Sequence, residues 1–151
     1  MGNSASKAEL KIRRARPSDA KRLAELNGQL GYPVSAGEII KRLQRLAPVS
    51  QHAVLVADSP GAGVIGWLHV SVEHLVEVDV RAEVNGLVVA EELRSLGAGA
   101  RLLKAAEDWA RKHGCLSMHV RSNVIRERAH KFYERLGYEH YKTQKAFRKM
   151  L

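Results

Sequence analysis

An apolar strand, a small-residue turn and an amphipathic helix follow one another within residues 87–113, and this order constrains the fold more than any other feature. The run Leu87-Val88-Val89 is typical of a buried strand, and the stretch RSLGAGARLL (residues 94–103) follows it closely. A helix is predicted from Gly97 to His113 by a broad apolar stripe. The stripe comprises Leu102, Leu103, Ala106, Trp109 and Ala110. A tight strand-to-helix turn of this kind indicates a sheet covered by helices.

The rest of the chain predicts a complete set of alternating elements. We expect the order β-α-α-β-β-β-α-β-α-β-β, without repeats or linkers, and therefore an α/β class with a mixed sheet and helices on both faces. The predicted strands are 10–13, 53–57, 64–70, 82–89 and 115–120, the predicted helices are 17–31, 35–48, 97–113 and 129–136, and a closing hairpin is predicted around 138–141 and 146–150. Residues 9–151 are predicted to form one domain.

The N-terminal residues 1–8 are set apart from this domain. We interpret them as a disordered terminus or a leader added for expression. The segment from Met1 to Ser6 also fits the template for N-myristoylation of Gly2, which has meaning only in a cell with the modifying enzyme.

Charge and composition exclude several classes of protein. The net charge of +9 arises from 25 Lys and Arg against 16 Asp and Glu. It is unevenly spread, because residues 73–92 are acidic and residues 121–151 are basic, and this polarity disfavours a nucleic-acid partner. No apolar run is long enough to span a membrane. The single Cys115 allows no internal disulfide, which favours a reducing, cytoplasmic location.

The glycine turn fits neither common nucleotide motif. A P-loop would require Gly-x4-Gly-Lys-Ser/Thr, and the dinucleotide fingerprint would place its third small residue at Leu102. The remaining pattern, Arg94-x-x-Gly97-x-Gly99, offers backbone amides at a helix N-terminus to an anion such as a pyrophosphate. The alternative is that small residues only allow the helix to pack on the sheet.

Two stretches carry a family resemblance. The segments AEVNGLVVAEELRSLGAGARLL (residues 82–103) and RERAHKFYERLGY (residues 126–138) resemble signature stretches of the GNAT superfamily of acyl-CoA-dependent N-acetyltransferases. The order of elements resembles that fold over essentially the whole chain. The resemblance implies a mostly antiparallel mixed sheet of six to seven strands, about four helices, and acetyl-CoA as the acyl donor.

The resemblance also implies how the donor is held. The backbone of Leu87, Val88 and Val89 would bind the pantetheine arm, and the amides from Arg94 to Ala100 would bind the pyrophosphate. The implied pyrophosphate-binding residues are Arg94, Ser95, Leu96, Gly97, Ala98, Gly99 and Ala100. Many family members have an asparagine three residues before the alanine of the following helix. Arg126 occupies that position here, so Asn123 is the candidate for this contact.

Catalytic roles follow from the same resemblance. Glu83, eleven residues before Arg94, would act as the general base for the amine, and Asn85 would orient the amine or a water molecule. Tyr133 would protonate the departing thiolate, and the N–H of Val89 would polarise the carbonyl. The alternative for Glu83 is an exposed strand carboxylate with no catalytic role. The alternative for Tyr133 is that its ring only packs on the apolar face of its helix. Cys115 is expected in a buried strand, and the histidines show no metal-ligand spacing, so no metal is predicted.

The chemical class of the acceptor can be predicted only from the charge of the sequence and from the first two helices. In the family these helices border the acceptor site, which places Tyr32 and Glu38 beside it. The acidic stretch from Glu73 to Glu83 favours a cationic amine. A small molecule is favoured because no extended peptide-binding insertion is evident in the sequence. A lysine or N-terminal amine of a protein, or a non-catalytic acyl-CoA sensor, are the alternatives. A homodimer is a further expectation from the resemblance.

Overall fold

The computed structural model describes residues 10–151, so the predictions for residues 1–8 lie outside the described residues. The sheet has five strands in the order of the sequence: β1 (Lys11–Arg14), β2 (His52–Ser59), β3 (Gly63–Glu73), β4 (Arg81–Val89) and β5 (Met118–Val120). The first four strands are antiparallel neighbours, and β5 is parallel to β4. The mixed, mostly antiparallel sheet is as predicted.

The described residues form four α-helices: α1 (Ala20–Gln29), α2 (Ala36–Leu46), α3 (Ala98–Lys112) and α4 (Glu127–Arg135). Two short 3-10 helices cover Pro17–Asp19 and Glu91–Leu96. Ser35 caps α2 as predicted, since its hydroxyl accepts a hydrogen bond from the N–H of Glu38 at 3.1 Å. No helix among the described residues is sufficiently long and apolar to cross a membrane.

The chain divides into two compact units, Met1–Val120 and Arg121–Leu151. The first contains the sheet and helices α1 to α3. The second contains α4. That residues 9–151 form one domain stays a prediction.

The core of the first unit lies on both faces of its sheet. On one face, Leu23 and Leu26 of α1 pack with Val56 and Val88, and Trp67 borders this cluster. On the other face lies α3, whose residues Leu102, Leu103 and Ala106 are fully or almost fully buried. Gly66 lets α3 approach closely, since a Cβ there would lie 2.9 Å from the Val88 carbonyl oxygen and 3.3 Å from Leu102 Cδ1. The apolar stripe predicted from the sequence therefore docks α3 on the sheet.

An ion cluster joins the start of the chain to β2. Arg13 of β1 donates two hydrogen bonds of 2.9 Å to the Asp19 carboxylate and one of 3.1 Å to Asp58. Asp19 is only 8% exposed, and its carboxylate also accepts the N–H of Arg16 at 2.7 Å. The Arg13 guanidinium is the main cause that lowers the pKa of Asp19 below its ordinary value.

The predicted closing hairpin is wrong. Residues 138–151 contain no strand, so the described part of the chain has five strands rather than six to seven. The segment offers no turn-forming Gly, Pro, Asn or Asp between its apolar groups, and Thr143 is its single β-branched residue. Phe147, Met150 and Leu151 are almost completely exposed.

The position of Cys115 also differs from the prediction. Strand β5 begins only at Met118, and Cys115 lies half-buried in the loop after α3. Its N–H bonds to the carbonyl of Ala110 at 3.0 Å, so the chain is still completing the end of the helix at this point. Burial raises the pKa of the Cys115 thiol.

Candidate active site

A β-bulge in β4 shapes the centre of the candidate site. Residues Val84 and Gly86 pair with the consecutive residues Val70 and His69 of β3, which leaves Asn85 as the extra residue. A bulge reverses the alternation of side chains along a strand. Glu83 before the bulge and Val88 after it therefore lie on the same face of the sheet.

Two of the predicted catalytic residues meet through a serine on this face. Glu83 lies directly opposite Ser71 in the β3–β4 register, and both residues are buried, at 5% and 6% exposure. The Asn85 amide nitrogen donates a hydrogen bond of 2.8 Å to Ser71 Oγ. A buried carboxylate, a hydroxyl and an amide thus occupy neighbouring positions of the sheet where the bulge opens the ladder. A carboxylate in such a polar setting can accept a proton.

Two imidazoles extend the polar face onto β2. The His52 and His69 rings are linked by a 2.9 Å contact between His52 Nδ1 and His69 Nε2. Burial, followed by the neighbouring His52, lowers the pKa of His69 to about 4. His69 is consequently neutral at pH 7.

A glycine makes room for an aromatic ring at the same place. A Cβ on Gly86 would lie 2.6 Å from Cη2 and 2.8 Å from Cζ3 of Trp67. The indole therefore lies over the backbone of Gly86, next to the bulge. Neither residue was singled out from the sequence, because this contact depends on the shifted register.

The segment between β4 and α3 is longer and more regular than the tight turn predicted from the sequence. A 3-10 helix, Glu91–Leu96, intervenes between β4 and α3, and Gly97 ends it with φ at +77°. This left-handed conformation favours glycine. The hydrogen-bond ladder of α3 starts with the N–H of Arg101 to the carbonyl of Gly97 at 3.2 Å. The N–H groups of Ala98, Gly99 and Ala100 precede it and, like the first N–H groups of any α-helix, have no acceptor within the helix.

The other residues predicted to bind the donor surround this turn. Arg94 lies in the 3-10 helix, largely exposed, with its guanidinium 4.0 Å from the Glu91 carboxylate. Strands β4 and β5 pair only over Ala82–Val84 and Met118–Val120, so the backbone of Leu87–Val89 lies beyond the end of their ladder. Ser95 and Leu96 belong to the same 3-10 helix.

In the second unit, Tyr133 lies on α4 among aromatic rings. Its ring makes edge-on contacts with Phe132 and Tyr138, at centroid distances of 5.2 and 5.9 Å. Burial raises the pKa of the phenol, and the nearby Arg126 opposes this shift only partly. Tyr133 therefore retains its proton at neutral pH, as a general acid must.

Asn123 is engaged at the start of α4. Its side-chain oxygen accepts the N–H of Ile125 at 3.2 Å, and its carbonyl accepts the N–H of Arg126 at 2.9 Å. This is an Asx-type turn leading into the helix. The structure thus gives Asn123 a local role in positioning α4, and a contact with the donor stays a prediction.

The two residues predicted at the acceptor site lie at the connection between α1 and α2. Tyr32 is 69% exposed, and its carbonyl accepts a hydrogen bond from the Asn27 side chain. Glu38 lies in the first turn of α2, with a carboxylate oxygen 3.3 Å from Lys41 Nζ. Both side chains are accessible, and Glu38 has a cationic partner in its own helix.

Comparison with known proteins identifies the family. Residues 23–138 match the model of the family described as "Acetyltransferase (GNAT) family". The chain belongs to the GNAT acetyltransferases. The protein is an acyltransferase enzyme, and the resemblance noted from its sequence is confirmed.

Relatives of this GNAT acetyltransferase include enzymes that act on amines. It is 27% identical to aminoglycoside N(6')-acetyltransferase type 1 of Stenotrophomonas maltophilia over 132 residues, and this match covers 85% of each chain. It is 34% identical over 86 residues to aminoalkylphosphonate N-acetyltransferase of Salmonella typhimurium, covering 55% of this chain and 56% of the relative. The fold resembles that of the aminoglycoside N-acetyltransferase AAC(6')-Iy in complex with a CoA-containing bisubstrate analogue. The TM-score is 0.81 at 19% sequence identity, and the match covers 94% of this chain and 99% of the other.

Sequence reasoning did not single out Ser71, His52 and His69, which lie on the same face of the sheet as Glu83. Their placement depends on strand register, which the sequence does not display. Only His69 lies within a predicted strand, 64–70, so a shared face could have been inferred only if strands 53–57 and 64–70 had each been extended by one residue, to His52 and Ser71. Among residues 10–151 no group of three or more His, Cys, Asp or Glu is arranged to hold a metal, and the absence of a metal stays a prediction.

Proposed function

We propose that this enzyme transfers an acetyl group from acetyl-CoA to a primary amine of a small, cationic acceptor. The observation that carries the proposal is the convergence of buried Glu83 with Ser71 and Asn85 at the bulge of β4. Acyl transfer to an amine needs one group to remove a proton from the ammonium, and a carboxylate held in this way supplies it.

Glu83 is the proposed general base. An alkyl ammonium has a pKa of ~10, so the acceptor must lose a proton before its nitrogen can attack a thioester carbonyl. The Ser71 hydroxyl and the Asn85 amide keep polar groups around the carboxylate, and Asn85 is accessible enough to meet the acceptor. The proton passes from the nitrogen to Glu83, either directly or through water.

The start of α3 is the proposed binding site for the donor. The residues present fit a pyrophosphate, because Gly97 turns the chain without a side chain and the first amides of a 15-residue helix follow it. The arginine at the mouth, Arg94, adds a cation. The backbone of Leu87–Val89 would hold the pantetheine amides, and the N–H of Val89 would polarise the carbonyl.

Tyr133 is the proposed general acid. Its raised pKa keeps the phenol protonated, so a proton is available for the thiolate that leaves the carbonyl. A thiol has a pKa of ~8.5, and transfer from a phenol of higher pKa therefore depends on close positioning. Asn123 is proposed to contact the donor from the same unit.

The acceptor is proposed to be small and positively charged. The exposed loop between β3 and β4 carries Glu77 and Asp79, which would attract a cation. Glu73 contributes less, because its carboxylate is paired with Arg81 at 3.2 Å. The relatives described above, an aminoglycoside and an aminoalkylphosphonate acetyltransferase, support an amine of this size. Tyr32 and Glu38 are proposed to border the acceptor.

The experiment that tests the proposal combines a thermal scan with a turnover assay. At a hundredfold excess over Kd, a ligand adds about 2.7 kcal/mol to the free energy of unfolding, so Tm should rise by about 5–10 °C with acetyl-CoA and with CoA but not with NAD or ATP. Amines of graded charge, together with a lysine peptide, are then screened for thiol release. Binding without turnover of any amine would favour a sensor, and turnover of the peptide alone would favour a protein substrate.

Other expectations accompany the proposal. We expect no nucleic-acid or membrane partner, a cytoplasmic location and a homodimer. Each rests on composition or on the family resemblance.

A further inference from the structure

A row of polar side chains crosses the sheet at right angles to its strands. In the strand register, His52 of β2 is opposite Ser71 of β3, Ser71 is opposite Glu83 of β4, and Glu83 is opposite His119 of β5. We refer to His52, Ser71, Glu83 and His119 as the transverse row. In the antiparallel pairs β2–β3 and β3–β4, register partners share a face and lie about 4.5–5.5 Å apart at their Cβ atoms. Across the parallel β4–β5 pair, Glu83 and His119 are aligned on the same face. The row therefore joins the buried Glu83 to imidazoles on both sides.

The two ends of the transverse row have different surroundings. On the β2 side, the Nδ1 atom of His52 is engaged by His69 Nε2 at 2.9 Å. On the β5 side, His119 is half-buried, and its Nε2 lies 2.8 Å from the hydroxyl of the exposed Ser117. The β5 end thus connects the buried carboxylate with the solvent-exposed surface.

From this arrangement we infer that His119 is the residue that takes up the proton collected by Glu83 and releases it to solvent. The inference rests on the proposed function, since Glu83 collects the proton from the acceptor ammonium. In the first step the N–H bond of the ammonium breaks and an O–H bond forms on Glu83. In the second, that O–H bond breaks and an N–H bond forms on His119, which then loses the proton to water beside Ser117. Glu83 returns to its carboxylate form.

The charged groups on this face are consistent with the transfer. Arg81, two residues before Glu83 on β4, is held by Glu73 of β3 at 3.2 Å, so these two charges compensate each other. The remaining titratable groups facing the row from β2 and β3 are His52 and His69. Glu83 is the carboxylate aligned with His119 in the register of the β4–β5 ladder.

NMR titration tests the coupling without substrate. The ring protons of His119 are followed against pH in the wild type and in Glu83→Gln. Loss of a facing carboxylate disfavours the imidazolium, so the midpoint of the His119 titration should move to lower pH by about one unit. His113, which stacks on Trp109 at the end of α3, serves as the internal control and should not move. An unchanged His119 midpoint would overturn the inference.

Kinetics test the relay in the working enzyme. His119→Gln, which preserves a polar side chain but cannot carry the proton, should lower kcat about tenfold or more at pH 7 while KM for acetyl-CoA stays constant. Added imidazole should restore part of the activity of His119→Ala, and His113→Gln should behave as wild type. Activity of His119→Gln within twofold of wild type would overturn the relay.

If the wild type acetylates no amine but the NMR coupling is found, the proposed function fails and the proton link between Glu83 and His119 is supported.

Discussion

At the scale of single residues, the candidate site depends on groups whose protonation is fixed by their surroundings. Glu83 is buried on a polar face, His69 is held neutral, and Tyr133 keeps its phenolic proton because burial raises its pKa. These are the conditions in which an acid and a base can coexist at neutral pH. Changes of a few atoms at these positions should therefore alter rates more than they alter the fold.

Replacing Glu83 by Gln should change the pH dependence of turnover. The amide cannot accept a proton, so the rate should fall by roughly 100-fold near neutrality and recover at alkaline pH, where more of the acceptor is already deprotonated. Steady-state rates from pH 6 to 10 measure this, with the affinity for CoA expected to stay close to wild type. A pH profile that matches wild type would remove Glu83 from the mechanism.

Replacing Tyr133 by Phe should separate its chemical role from its packing role. The ring contacts with Phe132 and Tyr138 are retained, whereas the proton donor is lost. We expect kcat to fall by about 100-fold with little change in KM for acetyl-CoA or in Tm. If activity and Tm decline together, the hydroxyl supports the structure of the second unit instead.

At the scale of elements, the bulge in β4 and the first turn of α3 determine the positions of the proposed catalytic and donor-binding groups. The bulge at Asn85 brings Glu83 and Val88 to one face, and Gly86 admits the Trp67 ring beside it. The start of α3 is anchored by buried Ala98 and Leu102, so its first amides are held rigidly. A rigid helix terminus binds an anion without a further entropic cost of ordering.

Gly97→Val should abolish binding of the donor. A β-branched side chain strains a left-handed backbone and would also project at the turn that we propose for the pyrophosphate. Gly114 is the matched control, since it has the same φ of +77° at the other end of α3 and no heavy atom within 4 Å of an added Cβ. Both valine variants should lose similar stability, but only Gly97→Val should fail to bind CoA by calorimetry. Normal binding by Gly97→Val would refute the proposed donor site.

At the scale of the whole molecule, stability depends on contacts that link distant parts of the chain. Arg13 connects β1 to the segment before α1 and to β2 through Asp19 and Asp58. Because the folded protein lowers the pKa of Asp19, this carboxylate stabilises the fold above its ordinary pKa near 4, and the contribution is lost as pH falls through the folded value.

Asp19→Asn should reduce Tm in a pH-dependent manner. At pH 7 the variant loses charge-assisted hydrogen bonds to the half-buried Arg13, which corresponds to about 1–3 kcal/mol and a decrease of a few degrees. The difference from wild type should shrink as pH is lowered below about 4, because the unfolded chain takes up this proton first, and it should vanish once pH falls below the lowered pKa of the folded carboxylate. Calorimetric scans at several pH values measure this. A constant difference across that range would contradict the role of the charge.

The sequence predicted the order of the first nine elements, because apolar periodicity and caps such as Ser35 are local properties. It also indicated Glu83 and Asn85 through the family resemblance, although Asn85 is the bulge residue and does not follow the alternation of a regular strand. It did not reveal the bulge or the pairing of Glu83 with Ser71 and His119, since register depends on hydrogen bonds between distant segments. The hairpin at 138–151 was predicted from apolar residues alone, without a turn signal, and was wrong.

The parallel pairing of β5 with β4 also has a consequence for synthesis of the chain. The four antiparallel strands leave the ribosome in the order in which they pair, and Glu83 is among them. His119 follows only after α3 has emerged, because a parallel neighbour needs a crossover connection. The nascent protein thus places its buried carboxylate before the imidazole that faces it, and the face of the sheet is complete only when residue 120 is available.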